Sequence, residues 1–300
     1  MKGIGTDEAT LIKVLGARNP AERLLIRAEF EKQFGRDLIK DIKSETSGNF
    51  KNLLVNLVIK PNEVRADYLY DAMAGAGTKD AVLIDVITQT NNKDMAETKQ
   101  IYQTKYAGKK TKKKGYSGAP TALENDVKDD CSGNFENILL ALLAANRDES
   151  ATVNDALASD DAKLLYQKGE GKFGTDEATF TRIMTSRSVP HLQAVDRHYR
   201  NLYKRSLGEA IAKETSGDYK DALVACTKTL EVYMAERAHE AIAGLGTKDD
   251  LLVYIFAVHD KPTLQKISQA YLTIYKKSLE THIRGDTSGD YQKLLLALLA

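Results

Sequence analysis

Apolar residues recur at three- and four-residue spacing along the chain, as in Leu11, Ile12 and Leu15 or Leu24, Leu25 and Ala28, which is the spacing of one helical face. Strand-like alternation is absent. Asn19-Pro20 and Gly35 interrupt the first such stretch and predict helix boundaries there. Two denser runs, NFKNLLVNLVI (49–59) and DYQKLLLALLA (290–300), follow Thr-Ser-Gly strings that signal a helix start. EVRADYLYDAMA (63–74) and EVYMAERAHEAIA (231–243) predict further amphipathic helices. The pattern is all-α.

The pattern is also periodic. GIGTDE (3–8) returns as GAGTKD (75–80), KFGTDE (172–177) and GLGTKD (244–249). Taking Gly5, Gly77, Gly174 and Gly246 as anchors, the spacings are 72, 97 and 72 residues. A second string, SETSGNF (44–50), returns as DDCSGNF (129–135), KETSGDY (213–219) and GDTSGDY (285–291). Its glycine lies 43 residues past the anchor in three copies and 56 in the second, an insertion of 13. Two strings kept in register four times define four homologous helical modules. They occupy residues 1–60, 61–146 with a basic insertion near 107–120, 147–228 including a linker, and 229–300. Each module predicts five short helices, except that the first starts inside its motif and is expected to lack the leading helix.

Gly-x-Gly-Thr between two helices suits a tight turn whose carbonyls point outward. Forty residues past the anchor an acidic residue recurs: Glu45, Glu214 and Asp286, with Asp130 at 53 because of the insertion. The bland reading is that the strings only cap helices, with Thr6, Thr78, Thr175 and Thr247 as N-caps. A carboxylate returning in register with a carbonyl-lined loop in all four modules favours a ligand role alongside capping. Backbone oxygens plus one carboxylate, without His or Cys, form a hard donor set suited to Ca²⁺ and less to the tighter octahedron of Mg²⁺. One carboxylate per ion predicts weak intrinsic affinity, with Kd on the order of 10⁻⁴ to 10⁻³ M.

Gly-x-Gly-Thr followed by Asp or Glu about 40 residues on, in four helical modules of about 70 residues, resembles the annexin family over essentially the whole chain. The resemblance implies a curved four-repeat disc whose convex face carries calcium loops, with the ion bridging protein oxygens to the phosphates of anionic phospholipids. It implies carbonyl ligands from Met1, Gly3 and Gly5 with the Glu45 carboxylate, and from Met73, Gly75 and Gly77 with Asp130. In the third module GEGKFG (169–174) carries one extra position, implying Gly169, Lys172 and Gly174 with Glu214. The fourth module offers Ile242, Gly244 and Gly246 with Asp286. Between the loop glycines stand Ile4, Ala76, Phe173 and Leu245, of which the three bulky ones suit contact with the headgroup boundary.

Composition narrows the function classes. With 43 Lys+Arg against 42 Asp+Glu, the charge balance argues against a bulk nucleic-acid binder. Two cysteines are too few for a disulfide framework and fit a reducing compartment. The longest apolar run is Ile138–Ala145, far short of the roughly 20 residues a membrane span needs. The five histidines show no zinc spacing, the EF-hand pattern is missing, and no nucleophile–base motif occurs, so no enzymatic activity is expected. The leading expectation is a cytoplasmic, peripheral, calcium-dependent binder of anionic phospholipid membranes. The competing one is a membrane-associated or cytoskeletal scaffold on the same fold with reduced calcium dependence. Five lysines within Lys109–Lys114 offer a contact to an acidic or cytoskeletal protein partner or to a second surface.

Overall fold

The computed structural model describes residues 5–75, 77–106, 122–244 and 246–300, and among these it contains nineteen α-helices and no strand. The first module contributes α1 (Glu8–Gly16), α2 (Pro20–Phe34), α3 (Leu38–Glu45) and α4 (Gly48–Leu57). The second has α5 (Pro61–Met73), α6 (Asp80–Gln89), α7 (Asn92–Tyr106), α8 (Leu123–Asp130) and α9 (Gly133–Leu143). The third has α10 (Asp155–Lys168), α11 (Glu177–Ser186), α12 (Val189–Tyr203), α13 (Leu207–Glu214) and α14 (Gly217–Cys226). The fourth has α15 (Leu230–Ile242), α16 (Asp249–Val258), α17 (Lys261–Tyr275), α18 (Leu279–Asp286) and α19 (Gly289–Leu299).

Local chemistry sets the boundaries. Asn19 and Glu22 form a reciprocal capping box at the start of α2, with Pro20 at its first position. Gly35 ends that helix at φ +63°, and its N–H donates to the Glu31 carbonyl at 2.9 Å. Ser206 and Glu209 repeat the box at α13. Ser47, Ser132, Ser216 and Ser288 stand in extended backbone at the N-cap of the runs α4, α9, α14 and α19, yet none makes a side-chain cap bond. The entry there rests on the following glycines, Gly48, Gly133, Gly217 and Gly289, at φ +59° to +63°.

Packing divides the chain into two compact units. One joins Met1–Val64 to Leu230–Ala300; the other spans Arg65–Thr229. In the first unit α4 packs on α16 and α19 on α1, burying Leu53 and Leu54 with Leu252, Ile255, Phe256, Leu294 and Leu295. The α1–α19 approach is close: a Cβ on Gly16 would stand 2.8 Å from the Ala297 Cβ. The buried Arg23 donates from Nε to the Leu15 carbonyl at 2.8 Å, satisfying an orphan carbonyl at the end of α1, and burial pushes its guanidinium down to about 10. In the second unit the same exchange pairs α14 with α6 and α9 with α11, around Leu83, Val86, Phe180, Ile183, Ile138 and Leu223. The last helix of each module thus packs on the helix that follows the Gly-Thr string of its partner module in the same unit. Each fully buried Leu, Ile or Phe contributes about 1.5–3 kcal/mol of transfer free energy.

An aromatic pair recurs ten and fourteen residues into the long helix of each module: Phe30/Phe34, Tyr102/Tyr106, Tyr199/Tyr203 and Tyr271/Tyr275. In modules two to four a ring of the leading helix stacks on the second member: Tyr70 on Tyr106 at 3.8 Å, Tyr166 on Tyr203 at 3.9 Å and His239 on Tyr275 at 3.7 Å.

Candidate metal centre

Each anchor glycine has a left-handed backbone: φ is +93° at Gly5, +85° at Gly77, +77° at Gly174 and +85° at Gly246. A Cβ at these positions would meet nothing within 4 Å, so the requirement is conformational rather than steric. The turns are closed by backbone bonds. Lys79 N–H donates to the Ala72 carbonyl at 3.0 Å, and Lys248 N–H to the Ala241 carbonyl at 2.8 Å, both across seven residues. In the third module Asp176 N–H reaches the Lys168 carbonyl at 2.8 Å across eight, which absorbs the extra position there.

Met73 and Ile242 are the last residues of α5 and α15, and Gly169 immediately follows α10. Carbonyls at such ends lack an amide ahead of them in the helix and carry the negative end of the helix dipole. Gly75 and Gly244 follow within the loops. Gly169 is glycine for want of space: a Cβ would meet Phe180 Cζ at 3.1 Å and Glu214 Cγ at 3.3 Å. Its carbonyl accepts the Lys172 N–H at 3.0 Å, using one of two lone pairs. Met1, Gly3, Ile4, Ala76, Leu245 and the Lys109–Lys114 segment lie outside the described residues.

Glu45, Asp130, Glu214 and Asp286 are each the final residue of an eight-residue helix: α3, α8, α13 and α18. The motif threonine brings each back to its loop. Thr6 Oγ1 donates to the Glu45 carbonyl at 2.9 Å and lies 3.1 Å from its Oε2. Thr78 does the same to Asp130 at 3.4 and 3.1 Å, and Thr175 to Glu214 at 3.2 and 2.8 Å. Thr247 reaches the Asp286 carbonyl at 3.1 Å. The capping expectation for these threonines is thereby corrected. Asp7 and Asp176 occupy the N-caps and accept from Thr10 and Thr179 N–H, whereas Lys79 and Lys248 stand at the other two without a side-chain bond. The hydroxyls are spent on the returning acid instead, a role that needs the tertiary fold to be seen.

Thr46, Thr215 and Thr287 follow the acid in three modules and bond back to the Ile42, Ile211 and Ile283 carbonyls at 2.6, 2.7 and 2.7 Å. The second module has Cys131 there, buried, with its thiol pushed up to about 12, first by burial and then by surrounding carboxylates including Asp80 and Asp130. Among the described residues no group of three or more His, Cys, Asp or Glu side chains stands together in a way that would hold a metal. A cation at these loops would draw chiefly on backbone carbonyls, with the returning acid as a side-chain ligand. That donor set, at two negative helix ends, fits a hard, high-coordination ion such as Ca²⁺.

The third loop has features the spacing did not reveal. The Phe173 side chain is fully exposed at its tip. Lys168 and Asp176 pair across its base at 3.1 Å, which with the Thr179 amide holds the Asp176 carboxyl below its usual value. Glu170 turns inward, its side chain only 7% exposed, and meets Tyr199, Arg205 and Lys213.

The sequence pattern of the annexin family matches residues 1–57, 65–110, 160–226 and 233–298. Mouse annexin A13 is 40% identical over 301 aligned residues, covering 99% of this chain and 91% of its own, and human annexin A4 is 37% identical, covering 99% and 90%. Among solved structures, annexin III superposes with a TM-score of 0.90 at 36% identity, covering 99% of this chain and 89% of its own. Calcium-bound annexin (Sm)1 superposes with a TM-score of 0.87 at 34% identity, covering 100% and 86%. The chain belongs to the annexin family. Calcium-bound structures stand among its neighbours, and among the described residues no helix is long and apolar enough to cross a membrane.

Proposed function

We propose that the protein binds anionic phospholipid membranes peripherally and in a calcium-dependent way, by binding rather than turnover, on the cytoplasmic side. The observation that carries this reading is the tie between each loop threonine and the acidic residue that ends the eight-residue helix of its module, made to carbonyl and carboxylate together in modules one to three and to the backbone carbonyl in module four. The proposed ligands are the carbonyls of Met1, Gly3 and Gly5 with Glu45; Met73, Gly75 and Gly77 with Asp130; Gly169, Lys172 and Gly174 with Glu214; and Ile242, Gly244 and Gly246 with Asp286. A bound Ca²⁺ supplies a charge left undercompensated by one carboxylate, with coordination positions open to lipid phosphate oxygens.

The residues of the chain do the rest. The left-handed glycines set the tight turns, and the Thr175 hydroxyl holds the Glu214 carboxylate at its loop before any ligand arrives. Phe173, with Ile4, Ala76 and Leu245 at the matching places, lies against the headgroup boundary. Lipid phosphate that binds only together with the ion raises the apparent calcium affinity by linkage. The Lys109–Lys114 segment gives a separate contact for an acidic protein or a second surface.

Cosedimentation with phosphatidylserine vesicles tests the reading. The protein pellets with vesicles in calcium and stays in the supernatant with chelator. Pelleting that ignores chelator contradicts it and favours a scaffold role.

A further inference from the structure

The long-helix tyrosine of modules two and four spends its hydroxyl on the short helix that carries the acid. Tyr102 Oη donates to Asp126 Oδ2 at 2.5 Å, and Tyr271 Oη meets His282 Nδ1 at 2.5 Å, each four residues before the module's carboxylate. The matching position in module three is Ala210, which offers no polar atom. There Tyr199 Oη donates instead to Glu170 Oε2 at 2.9 Å, in the calcium loop itself. The other oxygen of that carboxylate, Oε1, takes Arg205 at 2.5 Å and Lys213 at 3.1 Å. Glu170 adjoins Gly169 and stands two residues before Lys172, while Lys213 precedes Glu214.

Resting on the calcium reading above, we propose that Glu170 is a positioning residue for the third site. It straps the loop that presents the Gly169, Lys172 and Gly174 carbonyls to α12 and to the end of α13, where Glu214 sits. A carboxylate this buried with three donors has little freedom, so the strap sets the separation of carbonyls and acid in advance. Neither GAGT nor GLGT carries a carboxylate to make such a strap, so the third site is more preorganised than the second and the fourth.

Position and charge make opposite predictions at Lys213. If its ammonium acted only through its field, removing it would leave a more negative site and tighten calcium binding. If it acts through Glu170, removing it loosens the site.

The test follows the Gly174 and Gly246 amide resonances of the full chain during titration with calcium chloride, so that the third and fourth loops are read separately. Glu170→Gln is expected to raise half-saturation at Gly174 at least threefold, and Lys213→Met about twofold, with Gly246 unmoved. Tyr199→Phe, which keeps the charged partners, is expected to give a smaller rise. An unchanged Gly174 curve in Glu170→Gln, or a tighter one in Lys213→Met, overturns the proposal. Should Glu170→Gln not fold, Lys213→Met and Arg205→Met decide alone, since the Lys213 and Arg205 side chains are 60% and 41% exposed. A parent chain whose Gly174 resonance ignores calcium overturns the calcium reading itself, which separates the two failures.

Discussion

Thr175 and Glu214, 39 residues apart, share one hydroxyl hydrogen between the Glu214 backbone carbonyl at 3.2 Å and its Oε2 at 2.8 Å. The bond joins a loop with a left-handed glycine to the end of a helix, so the acid is held at the turn by the fold. Replacing the hydroxyl with a methyl frees the carboxylate. Thr175→Val is expected to cost about 1 kcal/mol of stability and to weaken calcium binding at the third loop several-fold. Thr247→Val, which loses a bond to the Asp286 carbonyl, is expected to weaken the fourth loop less. Chemical denaturation and calorimetric calcium titration of the two variants check this.

The pairing of first and fourth modules has its own probe. Gly16 in α1 faces Ala297 in α19 so closely that a methyl group would overlap the alanine side chain. Gly16→Ala is expected to destabilise the protein by about 1–3 kcal/mol through overpacking, measured by urea unfolding. A substitution without effect would mean that the two helices do not approach as described.

Phe173 gives a prediction confined to the membrane. Its ring is fully exposed, so removing it takes away no core contact. Phe173→Ala is expected to leave the thermal midpoint in place and to lower vesicle binding in calcium by about tenfold, the equivalent of part of one buried aromatic side chain. Vesicle titration beside a melting curve separates these effects.

His282 predicts a pH dependence. Its imidazole is held below the ordinary value of 6.5, first by burial and then by the positive charges of Lys277 and His239, with Asp286 opposing them. It shares the Tyr271 hydroxyl with His239, so one ring accepts the phenolic hydrogen while the other donates its own. The unfolded chain takes up this proton at higher pH than the folded one, so the contribution is present above 6.5 and is lost as pH falls through that value toward the lower folded one. His282→Asn is expected to flatten the fall in thermal midpoint between about pH 7.5 and 5.5.

Much of this was legible in the sequence because it depends on local backbone. Gly77 and Gly246 mark left-handed turns, Pro20 and Gly35 mark helix ends, and the 40-residue interval places Glu45, Glu214 and Asp286 each at the end of a helix. What needed three dimensions was the choice among equivalent partners. The runs α4, α9, α14 and α19 share one apolar pattern, so nothing in the pattern says that α4 seeks α16 while α14 seeks α6. The threonines read as caps because their acceptors lie 39 or 52 residues away. The string GEGKFG showed only one extra position and gave no role to Glu170, since its partners come from α12, α13 and the turn between them.

The central claim is that carbonyls and a returning acid make one cation site per module, and a crystal grown or soaked in calcium tests it most directly. The prediction is a metal peak in modules three and four, about 2.3–2.6 Å from the carbonyl oxygens of Gly169, Lys172 and Gly174 with Glu214, and of Ile242, Gly244 and Gly246 with Asp286. Loops with those carbonyls turned apart and no metal peak in either module would contradict it.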